Sequence, residues 1–122
     1  MKLNGEEHEE TLRAAYNYAL SLSNLKRFKE AKSLLRKSIP VARRVLGESQ
    51  ELTLQMRWNY AAVLCKDEGA TLADLREAVA TFEDAGRIAR RVLGSAHPLN
   101  VDIERHLGLS RAALDARETA SA

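Results

Sequence analysis

The chain reads as an all-α fold, an α-solenoid of antiparallel helix pairs: about two repeats and a capping helix. Three observations predict it. The six letters ARRVLG occur at Ala42–Gly47 and again at Ala89–Gly94. Two twelve-residue stretches, Thr11–Leu22 and Thr53–Leu64, agree at six positions. Ala, Leu, Arg and Glu dominate while aromatics make up 5% of residues, a mix that favours helix over sheet. Self-similarity at a fixed period means stacked units, each unable to bury its apolar face alone.

The elements follow in order. A first helix near residues 9–24 carries Leu12, Ala15, Ala19 and Leu22, with Tyr18, on one stripe at three-to-four spacing, expected to be core. A second near 27–46 places Phe28, Ala31, Leu35, Ile39, Ala42 and Val45–Leu46 at helical spacing. Gly47 follows its last apolar pair, with arginines in the final turn, as a helix C-terminus prefers. Pro40 lies inside this helix, where it lacks the N–H that would reach Arg36, so a bend near Ile39–Pro40 is expected. A third helix near 51–67 repeats the first, and a fourth near 72–93 repeats the second through Leu75, Ala78, Phe82, Ala85, Ala89 and Val92–Leu93. Pro98 opens a last helix running to about residue 117. The units are then about 9–47 and 51–94, with a cap at about 98–117, all in one domain spanning 1–122.

Glycines 5, 47 and 94 are spaced by 42 and then 47 residues. The extra five belong to Lys66–Ala78, where Gly69 can end a helix and Thr71 with Asp74 resembles a capping box. GEEHEETL (Gly5–Leu12) aligns with GESQELTL and GSAHPLNV and reads as an inter-repeat linker, with the pairs Glu6–Glu7 and Glu9–Glu10 in a frayed terminus.

Composition narrows the function classes. A net charge of +2 does not argue for nucleic acid or membrane. Arg43–Arg44 and Arg90–Arg91 read as solvated helix ends. No apolar run approaches the ~18 residues of a membrane span, and the acidic, polar opening MKLNGEEHEE does not read as a signal peptide. Cys65 is the single cysteine, so no disulfide framework forms and a reducing, cytoplasmic setting is expected. His8 and His97 stand at equivalent turn positions, where neither has a second metal ligand. No phosphate loop, metalloprotease helix or nucleophile–base set is present, so neither an enzyme nor a cofactor is expected.

YNYA at Tyr16–Ala19, WNYA at Trp58–Ala61, the two RRVLG endings and HP at His97–Pro98 together resemble the tetratricopeptide repeats of the kinesin light chain type. The resemblance covers nearly the whole chain. It implies a right-handed superhelical α-solenoid, close helix approach at Ala19, Ala31, Ala61 and Ala78, and first helices lining a concave groove. It departs from the pattern at Lys26–Arg27, where a turn glycine is usual, at Glu9 and Gln50 in the linkers, and at the insertion.

The stripe next to the core stripe would face that groove. Its candidate binding residues are Arg13, Tyr16 and Asn17 in the first helix, Gln55, Trp58, Asn59 and Lys66 in the third, and Arg105 and His106 in the last. Asn17 and Asn59 each offer a donor and an acceptor to an extended backbone, the use that the resemblance implies. Tyr16 and Trp58 offer flat apolar area. Arg13, Lys66, Arg105 and His106 would make the groove mildly cationic. Tyr16 stands where the chaperone-type carboxylate clamp carries a lysine, which argues against an acidic C-terminal tail as ligand. The expected role is a protein-interaction module for a peptide or partner helix. The rival is a scaffold segment, self-associating through the N-terminal end around Leu12, Ala15 and Leu22 or joined to a longer array, with Glu104 and Arg111 marking a solubilising cap.

Overall fold

A computed structural model describes residues 5–121. Five helices follow one another: α1 (Gly5–Asn24), α2 (Phe28–Val45), α3 (Glu51–Lys66), α4 (Leu72–Leu93) and α5 (Pro98–Ser121). Each packs on the next in the chain. Lighter contacts join α1 to α3 and α3 to α5, while the backbones of α2 and α4 stay apart and Arg36 reaches Glu77 across the gap at 3.8 Å. The result is two layers, α1, α3 and α5 in one and α2 and α4 in the other.

Ala19, Ala31, Ala61 and Ala78 are all fully buried, which lets neighbouring helices approach closely. Phe82, Leu35, Leu54, Met56, Leu64 and Ile103 fill the space between them. Gly86 continues this on α4, where a Cβ would come within 3.2 Å of Ile103 on α5.

The turns explain where the helices stop. α1 ends in a Schellman turn: Arg27 N–H bonds the Leu22 carbonyl at 2.8 Å and Lys26 N–H bonds that of Ser23 at 3.0 Å. Lys26 takes the left-handed conformation, φ 61°, at the place where a glycine is missing. Gly47 and Gly94, at φ 95° and 91°, end the two second helices. Before α4, Asp74 N–H bonds the Thr71 hydroxyl and Thr71 N–H bonds the Asp74 carboxylate, both at 3.0 Å, completing the capping box. The insertion divides between loop and helix. The α3–α4 loop is two residues longer than the α1–α2 loop, and α4 starts three residues further ahead of its aligned alanine.

Several expectations change. GEEHEETL is helical from Gly5 rather than a linker, so His8 lies on α1 and not in a turn; Met1–Asn4 and the side chains of Glu6 and Glu7 lie outside the described residues. α5 runs beyond residue 117 to Ser121. Tyr18 is 57% exposed instead of core, and Val92 is exposed as well. Leu12 and Leu22, expected as an open apolar end, are buried, because α2 and α3 cover that side of α1. Tyr18 and Leu25 are the large apolar residues that α1 and its turn expose. Glu104 and Arg111 are exposed and reach back to α4, pairing with Arg90 at 3.0 Å and Glu83 at 3.7 Å.

Candidate functional site

The N-terminus of α5 leans over α3 opposite α1, and a cleft of roughly 520 Å³ opens between the three. Tyr16 and Leu20 of α1, Gln55 and Trp58 of α3, and Leu99 and Asp102 of α5 form its walls. The resulting surface is apolar and aromatic with a few polar groups, the ordinary make-up of a ligand cleft.

Trp58 is half-buried. Its Nε1–H is sequestered from solvent and has no acceptor among the described residues. A buried donor left unpaired is costly, and an acceptor brought to it recovers that cost. Behind the indole, His106 meets it edge-on at 5.6 Å between ring centres and lies 6.0 Å from Phe82. The His106 Nδ1 is 2.8 Å from the Asp102 carbonyl. His106 therefore braces Trp58 from the core side and does not line the cleft.

Tyr16 sits across from Trp58, and burial, then the nearby Asp102 charge, pushes its phenol above the usual range. The group stays neutral and remains a hydrogen-bond donor.

The expected positive charge is not concentrated here. Arg13 pairs with Glu9 at 3.4 Å and Arg105 with Asp102 at 3.3 Å. Lys66 is exposed at the far end of α3, beside Lys26 and Phe28 at the turns. The charged groups lining the cleft are Glu51 and Asp102, with His97 between them in the chain. His97 accepts from Leu99 N–H through Nδ1 at 3.1 Å, which tethers the start of α5, and its Nε2 is 3.3 Å from Glu51.

The two asparagines differ. Asn17 is exposed on α1, whereas Asn59 is 2% exposed and its Nδ2 has no partner among the described residues. Neither lines the cleft. Asn59 is therefore a buried amide, whereas its aligned counterpart Asn17 is open to solvent.

Arg57 was not singled out from the sequence. It is 7% exposed and its Nη2 donates to Asp84 on α4 at 2.7 Å. Its neighbour Tyr60 accepts from Arg36 Nε at 2.9 Å and donates to Glu77 at 2.6 Å, linking α2, α3 and α4. Cys65 is half-buried, 3.1 Å from the Ser110 hydroxyl, and burial raises its thiol above the usual range against the opposing effect of that contact.

The family model described as tetratricopeptide repeat matches residues 11–51, which take in all but the start of α1, the whole of α2 and the entry to α3. Residues 11–51 are thus similar to a tetratricopeptide repeat, a likeness with which the all-helical fold agrees. Tetratricopeptide repeats mediate protein–protein interaction in general, and the matched unit contributes the Tyr16 and Leu20 wall of the cleft. No curated protein and no solved structure matches the chain significantly. No helix among the described residues is long and apolar enough to cross a membrane.

Proposed function

We propose that the chain is a non-catalytic interaction module that holds an extended peptide segment in the cleft between α1, α3 and the start of α5. The observation carrying this reading is the Trp58 indole, which lines the cleft together with Tyr16 and Gln55. A peptide laid across α3 stacks on that indole and finds a donor and an acceptor in the Gln55 amide, and Tyr16 and Leu20 cover an apolar side chain of the same segment. Glu51 and Asp102 favour a segment without acidic residues at the contact. The repeat is of the kinesin light chain type on this reading, its layers extend as a right-handed superhelix, and its setting is cytoplasmic.

Panning a random peptide library against the chain tests this. Enriched peptides should bind the parent and lose about five- to a hundred-fold in affinity to Tyr16→Ala and Gln55→Ala. Equal enrichment by the parent and both variants would contradict the assignment.

A second reading, a scaffold segment, is supported by the exposed face of α1. Thr11, Ala14, Tyr18 and Ser21 align with Thr53, Met56, Tyr60 and Val63, which α3 buries under α2 and α4. A helix from a second copy or from a longer array would cover the α1 face in the same manner.

A further inference from the structure

A second cleft, of roughly 280 Å³, lies on the opposite side of α3, where α2 and α4 stand apart. Arg36 and Arg43 of α2, Arg57 and Tyr60 of α3, and Glu77 and Thr81 of α4 line it. Adjacent residues of α3 thus serve different clefts, Trp58 the first and Arg57 the second.

Three guanidinium groups meet one carboxylate among these residues. Glu77 is engaged by the Tyr60 hydroxyl at 2.6 Å and lies 3.8 Å from Arg36. Arg43 pairs with Glu48, beyond the cleft lining. Asp84 takes one nitrogen of Arg57, at 2.7 Å, and also pairs with Arg87 at 2.8 Å. The other nitrogen of Arg57, Nη1, is buried and has no hydrogen-bond partner among the described residues. A guanidinium fork is built to meet two acceptors, and here one prong is filled from the protein and one is not.

We infer that this cleft binds an oxyanion group, a carboxylate or a phosphate, held by Arg36 and Arg43 at its open side with the under-satisfied guanidinium of Arg57 behind them. Tyr60 and Thr81 supply hydroxyls at the same place. The site is independent of the peptide cleft and can be occupied whether or not that reading holds.

NMR titration with inorganic phosphate and with acetate, at ionic strength matched by chloride, tests it. The expected result is a saturable shift at the Arg57 side-chain Nε–H and at the Tyr60 and Thr81 amides, with α1 unmoved. Arg36→Gln and Arg43→Gln change exposed side chains and should each weaken binding about tenfold. A stronger response to phosphate assigns the site to a phosphoryl group, and a stronger response to acetate assigns it to a carboxylate side chain or terminus. The inference is overturned if neither anion gives a saturable shift, or if Arg36→Gln and Arg43→Gln both titrate as the parent does. Arg57→Gln should abolish the response, and the two surface variants decide the matter should that variant not fold.

Discussion

Tyr18 and Tyr60 stand 42 residues apart at equivalent positions of α1 and α3, yet the first is 57% exposed and the second 7%. The difference is the neighbour. α2 packs over α3 and gives Tyr60 the Arg36 guanidinium, while α4 gives it Glu77. Removing the Tyr60 hydroxyl leaves both partners without that bond. Tyr60→Phe should therefore cost about 1–2 kcal/mol in urea denaturation, and Tyr18→Phe less than about 0.5 kcal/mol.

The turn after α1 stores strain that the turn after α2 avoids. Lys26 holds φ 61° where Gly47 holds 95° without a Cβ. The left-handed region costs a non-glycine residue about 1–2 kcal/mol. Lys26→Gly should stabilise by about 1 kcal/mol after the entropy of the added glycine in the unfolded chain is subtracted. Gly47→Ala should destabilise by about 1–2 kcal/mol, with strain and not a clash as the cause, since nothing lies within 4 Å of the added carbon. Paired thermal melts of the two variants check this.

These contrasts show what a sequence of this kind carries. The period, the glycine ends, the Thr71–Asp74 box and the Pro98 start are local signals, and the helices begin and end close to where those signals stand. The stripe on α1 misled at Tyr18 because burial of that face depends on a helix stacked against it, which periodicity within α1 does not report. Arg57 was invisible for a related reason. Its partner lies 27 residues away on α4, and an arginine in a helix otherwise reads as solvated. In the cleft, Tyr16, Gln55 and Trp58 were legible from the repeat alignment. The pairing of Arg13 and Arg105 with carboxylates one turn away depends on rotamers, and the burial of Asn59 depends on tertiary packing that periodicity within α3 does not report.

Acid should weaken the α3–α4 contact. The hydrogen bond from Arg57, then the charges of Arg57 and Arg87, hold the Asp84 carboxyl below the ordinary carboxylate range, outweighing the effect of its burial. A folded-state value depressed below the unfolded one gives stability that is present above the unfolded value, ~3.9, and is lost as pH falls through the folded value. Denaturation followed from pH 6 down to pH 2, a range of about four units, should show that loss in the parent. Asp84→Asn should flatten the slope through this window.

The two asparagines should separate sharply when each is given a charge. Asn59→Asp places a carboxylate at a position 2% exposed and should destabilise by about 2 kcal/mol or more. Asn17→Asp, on the open face of α1, should change stability by less than about 0.5 kcal/mol. Chemical denaturation of both, at neutral pH, distinguishes a buried amide from a solvated one.

Trp58 is the single tryptophan of the chain, so the peptide cleft carries its own reporter. The most direct measurement is its fluorescence during titration with a peptide selected on the intact chain. The account predicts a saturable change in Trp58 emission whose midpoint equals the dissociation constant found by calorimetry, and which moves to at least about five-fold higher concentration in Tyr16→Ala. A peptide that binds by calorimetry while Trp58 emission stays constant, with the same affinity for Tyr16→Ala, would place the ligand elsewhere and contradict it.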